Sequence, residues 1–132
     1  LQNTFAAACC DDGKTKQTIR EVFGSAGYLR DTHTAVAVNA YEQYVDETGD
    51  KTPTVVVSTA SPYKFADAVL SAVSEKYNPA DEEFHKVQQL AEETGTAIPA
   101  PIAGLQSKPV RFQNLCKKDE MGRFLLRLVG LE

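Results

Sequence analysis

Three hydroxyl side chains lie close together in the middle of the sequence, at Ser58, Thr59 and Ser61. They follow a run of β-branched residues, Thr54–Val57, which favours a β-strand, and they precede a helical pattern. In open α/β sheets, ligands bind where strands end and helices begin, because the free N–H groups of a helix N-terminus attract anions. Hydroxyls there can bind an anion or a polar ring. On spacing alone, the role of caps and turn formers is favoured, and the ligand-binding role remains open.

The elements around these hydroxyls are predicted to be a buried strand and an amphipathic helix. Thr54–Val57 does not alternate between polar and apolar residues, which is typical of a strand covered on both faces. Ser61 suits the N-cap of the following helix, and Pro62 suits its first position. Apolar residues then recur at helical spacing, at Phe65, Ala68, Val69, Ala72 and Val73.

Four more helices are predicted from apolar periodicity and capping residues. They cover approximately residues 13–25 after Asp11 or Asp12, 32–45 after Asp31 or Thr32, 79–94 after Asn78, and 117–129. The apolar stripe of the last helix, at Met121, Phe124, Leu125 and Leu128, is expected in the core. The predicted fold is therefore α/β and helix-rich, with about five helices around one main buried strand in a partial sheet. Residues 1–132 are predicted to form a single domain, with 97–110 as an extended wrapping segment.

Composition excludes several classes of function. A hydrophobic fraction of 42% and a charged fraction of 24% are typical of a folded globular domain. The formal net charge of −4 offers no basic surface for nucleic acid, and no apolar run is long enough to span a membrane. Three cysteines, two of them adjacent at Cys9 and Cys10, indicate a reducing compartment rather than a disulfide framework. We therefore expect a cytoplasmic protein.

Other residues that could do chemistry are weaker candidates. The GKT at residues 13–15 is not a phosphate-binding loop, because the glycine required five positions earlier is Ala8. His33 is expected in the first turn of a helix, where a lone histidine is more often a surface residue than a catalyst. His85 has no evident partner. The spacing of the cysteines and histidines does not predict a metal site.

Two motifs resemble a known enzyme family. DTHTAVA at residues 31–37 and STASPYKF at 58–65 resemble the C-terminal part of threonine synthase, a fold type II enzyme that depends on pyridoxal 5′-phosphate (PLP). The longer stretch GYLRDTHTAVAVNAYEQY and the later KPVRF are similar to the longer bacterial form of the family. The resemblance is strongest from Gly27 to Leu70.

The resemblance implies both a reaction and a site. Threonine synthase is a lyase of threonine biosynthesis that converts O-phospho-L-homoserine and water to L-threonine and phosphate through a PLP aldimine. Thr59 matches the residue whose hydroxyl faces the pyridine nitrogen, and Ser58 is a weaker, supporting residue at the cofactor. The Schiff-base lysine and the loop for the cofactor phosphate lie upstream in the family. No catalytic residue is therefore predicted in this chain, which should be inactive and free of PLP by itself.

The resemblance also implies a partner. The chain opens with Leu1 rather than Met, and TFAAACC reads like the interior of a protein, so we expect a piece of a longer enzyme. Its main partner would be the missing N-terminal part of the same enzyme, and alone it could dimerise through exposed apolar surface. Two alternatives do not depend on the resemblance. One is a stand-alone module that binds an anion or a protein, and the other is a regulatory domain that binds an amino acid.

Overall fold

A computed structural model describes residues 4–131 of the chain. Its helices are α1 (Asp12–Ala26), α2 (Thr32–Thr48), α3 (Ala66–Val73), α4 (Glu83–Thr94), α5 (Ala100–Ala103) and α6 (Met121–Leu128). Two 3₁₀ turns, Pro62–Phe65 and Lys118–Glu120, lead into α3 and α6. Among the helices of the described residues, none is both long and apolar enough to cross a lipid bilayer.

Capping residues determine where α1 and α2 begin and end. Asp11 accepts a hydrogen bond from the Lys14 N–H, and Asp31 accepts from two N–H groups in the first turn of α2. Gly27 and Gly49 follow the two helices in the left-handed conformation, with φ of 65° and 68°, which a glycine adopts without a steric penalty. The predicted positions of both helices are confirmed.

The predicted start of α4 is wrong. The Asn78 side chain accepts a hydrogen bond from the Ala80 N–H at 3.1 Å and donates one to Asp81 at 2.9 Å. These bonds close a local turn that competes with the helix, so α4 begins only at Glu83. The predicted end at Thr94 is confirmed.

The core lies where α3 packs against both α1 and α4, while α1 also packs against α2. Ile19, Val69, Leu70 and Leu90 are fully buried there. Arg20 of α1 donates from Nε to the Ala72 carbonyl at the end of α3, at 2.8 Å. This bond satisfies a carbonyl that the helix itself leaves without a partner.

A polar contact also joins α3 to α4. The Lys86 ammonium, which is 7% exposed, lies 2.6 Å from an Asp67 carboxylate oxygen and also donates to the Pro79 carbonyl at 3.0 Å. The hydrogen bond from Lys86, followed by one from Tyr77, lowers the pKa of Asp67. The buried cation is thus neutralised and hydrogen-bonded, as burial of a charge requires.

The predicted buried strand is wrong. No strand or sheet forms between residues 4 and 131, and Thr54–Val57 is a non-helical segment in which Val55 is 87% and Val57 is 70% exposed. A strand needs a neighbour to accept and donate its ladder hydrogen bonds, and none of the described residues provides one. The α/β class with a partial sheet is therefore corrected to an all-helical arrangement in the described part of the chain.

The C-terminal arm, residues 105–131, is largely exposed. The prediction that the α6 stripe is in the core is wrong, because Met121, Leu125 and Leu128 are 49%, 55% and 56% exposed. Just before the arm, within residues 97–110, α5 forms one helical turn, and Ile98 and Ile102 pack against the core.

Candidate functional site

The turn that carries the three hydroxyls is anchored on its C-terminal side. Ser61 is the predicted N-cap, and its hydroxyl accepts a hydrogen bond from the Tyr63 N–H at 3.3 Å. Tyr63 is buried, and its hydroxyl donates to the Thr96 carbonyl at 2.9 Å. These two bonds therefore fix the 3₁₀ turn and the start of α3 next to the three hydroxyls.

On its N-terminal side the turn meets the start of α2. Ser58 Oγ lies 3.2 Å from Thr34 Oγ1, and the Thr34 hydroxyl donates a hydrogen bond to the carboxylate of Asp31. Asp31 is fully buried and Thr34 is 4% exposed, whereas Ser58 faces solvent. Three hydrogen-bonded side chains, those of Asp31, Thr34 and Ser58, thus connect the interior of the helical core with the surface of the turn.

The Asp31 carboxylate is ionised in this chain. Burial alone would raise the pKa of Asp31. Hydrogen bonds from the Thr34 hydroxyl and from the backbone N–H groups of Thr34 and His33 lower the pKa by more than burial raises it, so it lies below its ordinary value. A buried carboxylate with this many donors needs no ion pair to remain charged.

Thr59 is exposed and forms no hydrogen bond with any residue between 4 and 131. Its hydroxyl is therefore free to bind a ligand, although its role at a cofactor stays a prediction. Ala60, which follows Thr59, is half-buried and has a small side chain. Lys64 is exposed on the 3₁₀ turn.

His33 lies beside these three hydrogen-bonded side chains. It lines a cleft of about 460 Å³ between the first turns of α1 and α2 and the start of α3. Its ring packs against Phe65, with centroids 4.9 Å apart, and its Nδ1 lies 3.5 Å from Asp31. Cys10 also lines the cleft, with its sulfur 3.4 Å from the Thr15 hydroxyl. Cys9 is exposed, and His85 lies 3.4 Å from Asp81 on the exposed side of α4.

No group of three or more potential metal ligands occurs among residues 4–131.

Sequence reasoning missed Thr34 and the buried role of Asp31. It treated Asp31 as one of two possible caps of α2 and gave Thr34 no role of its own. The signal was a carboxylate and a hydroxyl three residues apart at a helix start, a spacing that places both side chains on the same side of the first turn. The contact with Ser58, 24 residues later, had no local signal.

Comparison with known proteins finds one matching family model, described as "Threonine synthase, C-terminal", over residues 34–122. The chain is 39% identical over 77 residues to threonine synthase-like 1 of Macaca fascicularis, 37% over 75 residues to threonine synthase of Saccharomyces cerevisiae, and 41% over 71 residues to threonine synthase of Corynebacterium glutamicum. These matches cover 58%, 53% and 54% of this chain but 10%, 15% and 14% of the respective relatives.

Proposed function

This chain belongs to the threonine synthase C-terminal family, and from that membership we propose that it is the C-terminal part of a threonine synthase and forms one wall of the cofactor site. The observation that carries the proposal is the family match over residues 34–122, which contains both Thr34 and the turn at residues 58–61. The relatives named threonine synthase, from yeast and bacteria, support it further.

The proposed reaction is the conversion of O-phospho-L-homoserine and water to L-threonine and phosphate. PLP, when bound, supplies an electron sink for the charge that develops at the Cα of the substrate. The protein sets the strength of that sink through the group at the ring nitrogen. A hydroxyl there donates a hydrogen bond to an unprotonated nitrogen and moderates the sink, whereas a carboxylate would keep the nitrogen protonated.

The described residues fit this role for Thr59. Its hydroxyl is exposed and has no hydrogen-bond partner between residues 4 and 131, so it can donate to a ring nitrogen without breaking an existing bond. Ser58 would support it from the neighbouring position, and the small side chain of Ala60 leaves room for a flat ring. We assign the covalent lysine and the cofactor phosphate site to the upstream part of the enzyme.

The upstream part of the same enzyme is the proposed partner. The chain matches at most 15% of the length of the relatives quoted above. Large apolar side chains are exposed at Val55 and Val57 and along the C-terminal arm, as expected of surface that packs against more protein. By itself the chain should neither bind PLP nor catalyse the reaction, because the phosphate contacts that normally anchor the cofactor would be missing.

The test uses the complete enzyme with Thr59→Ala, and Thr54→Ala as the matched control. Thr54 is an exposed threonine in the same segment, and its hydroxyl bonds to the nearby Thr52 carbonyl. We expect Thr59→Ala to lower the rate of phosphate release from O-phosphohomoserine by about tenfold or more, since one hydrogen bond to the ring is lost. Thr54→Ala should leave the rate unchanged.

Two results would contradict the proposal. Equal rates for the two variants would remove Thr59 from the site. A complete protein that releases no phosphate from O-phosphohomoserine would refute the assigned reaction and favour a binding module.

A further inference from the structure

Few hydrogen bonds hold the segment that carries Thr59, residues 53–60, in position. Residues 53–60 form no backbone hydrogen bond with the rest of residues 4–131. Across that part of the chain, the contact between Ser58 and Thr34 is the one hydrogen bond that ties the segment to a helix. The placement of Thr59 therefore depends on its neighbour Ser58 on one side and on the anchored Ser61 turn on the other.

The Thr34 hydroxyl is the donor in this contact, and Ser58 Oγ is the acceptor. Asp31 Oδ1 accepts from the N–H groups of His33 at 2.9 Å and Thr34 at 3.2 Å, and Oδ2 accepts from the Thr34 hydroxyl. A threonine hydroxyl has a single proton, and an ionised carboxylate can only accept. The Thr34 hydroxyl is the donor in both contacts, so its one proton is shared between Asp31 Oδ2 and Ser58 Oγ, which lies 3.2 Å away.

This direction has a consequence for Ser58. Ser58 Oγ accepts from the Thr34 hydroxyl, so the proton of Ser58 is left for whatever covers the turn. The buried Asp31 carboxylate orients the Thr34 hydroxyl, and this hydroxyl in turn holds the Ser58 side chain.

We propose that Asp31 is a positioning residue which, through the Thr34 hydroxyl, holds Ser58 and thereby places the adjacent Thr59 against the cofactor. This inference rests on the function proposed above. Asp31 itself does not touch the cofactor. The role is distinct from capping α2, because the cap uses Oδ1 and the two N–H groups, whereas the positioning uses Oδ2 and the Thr34 side chain.

The test separates the two roles with Thr34→Val in the complete enzyme. Valine has the shape of threonine and keeps the N–H that the cap needs, but it cannot bond to Asp31 Oδ2 or to Ser58. Thr18→Val is the matched control, because Thr18 is a buried helical threonine, 3% exposed, whose hydroxyl bonds to the Lys14 carbonyl. Thr34→Ser restores the hydroxyl, and Ser58→Ala removes the same bond from the exposed side.

Two measurements are compared across these variants. The first is the dissociation constant for PLP, by fluorescence titration. The second is hydrogen–deuterium exchange of residues 53–60 without PLP. Thr34→Val and Ser58→Ala should weaken PLP binding by about fivefold to tenfold and speed exchange in this segment, as loss of one hydrogen bond implies. Thr34→Ser should stay close to the wild type, and Thr18→Val should change neither measurement.

The inference is overturned if Thr34→Val and Thr18→Val exchange residues 53–60 at the same rate and bind PLP equally well. If Thr34→Val does not fold, the exchange rate of Ser58→Ala without PLP decides, since an exposed side chain can be removed without disturbing the core. A wild-type enzyme that does not bind PLP would refute the proposed function, while the exchange rates of the same variants would still decide whether Asp31 and Thr34 hold the segment.

Discussion

At the scale of single residues, Asp31 couples the stability of the chain to pH. Its pKa in the folded chain lies below the ordinary value, against the effect of burial, because the Thr34 hydroxyl and backbone N–H groups donate to it. A group with a depressed folded pKa stabilises the fold at pH values above its unfolded pKa, and this stability is lost as the pH falls through the folded pKa.

We expect the free energy of unfolding to decrease below about pH 4, the ordinary pKa of an aspartate. Asp31→Asn should lower it by about 1–3 kcal/mol at pH 7, because a buried acceptor is replaced by a group that cannot accept all of these bonds. It should also reduce the loss of stability that sets in below about pH 4. Part of that loss will remain, because the pKa values of Asp50 and Asp67 are lowered as well.

Urea denaturation at several pH values measures this effect, with Asp119→Asn as an exposed control. If Asp31→Asn and Asp119→Asn give the same pH dependence, the Asp31 carboxylate does not stabilise the fold in this way.

How much of the site could be predicted differs from residue to residue. Ser61 as a cap followed from its position before a proline, and the structure confirms it. Thr59 and Ser58 were assigned by resemblance, and their roles stay predictions. The link from Asp31 through Thr34 to Ser58 could not be predicted, because it joins side chains 24 residues apart through a tertiary contact that no local pattern encodes.

At the scale of elements, α3 and α6 show that an apolar stripe does not by itself predict burial. Both are eight-residue helices that follow a 3₁₀ turn, and both have apolar residues at helical spacing. Leu70 of α3 is fully buried between α1 and α4, whereas Leu128 of α6 is 56% exposed. Periodicity tells which side chains share a face, and only tertiary packing decides what covers that face.

This contrast leads to a prediction for the isolated chain. Leu70→Ala should lower the free energy of unfolding by about 2–5 kcal/mol, since it leaves a cavity in the core. Leu128→Ala should change it by no more than about 0.5 kcal/mol, as for most exposed positions. Urea denaturation followed by circular dichroism measures both, and equal effects would mean that α6 is packed as tightly as α3.

A local sequence pattern also could not show that the predicted strand would lack a partner among the described residues. Three consecutive valines favour an extended backbone through their branched Cβ atoms, and the segment is indeed non-helical. A sheet, however, is a property of at least two segments, and no second segment pairs with 53–60 among the described residues. The sequence pattern of one segment therefore could not establish the sheet.

At the scale of the whole molecule, the described chain divides into two regions of different character. The region from α1 to Ile98 has a buried core formed by four helices, and helix periodicity predicted most of it. The C-terminal arm has most of its large apolar side chains in solvent. That residues 1–132 form one domain stays a prediction, and the contrast between core and arm is what we expect if more protein packs against the arm.

The exposed arm has a consequence for the lifetime of the chain. Its basic residues, Lys108, Arg111, Lys117, Lys118, Arg123 and Arg127, are all exposed, so trypsin should remove the arm of the free chain well before it cuts the packed helices. Addition of the upstream part of the enzyme should slow this cleavage, as mass spectrometry of a timed digest would measure, and an unchanged rate would contradict the proposed partner. A copy that has not assembled would then expose sites at which proteases cleave it, and assembly would bury these sites.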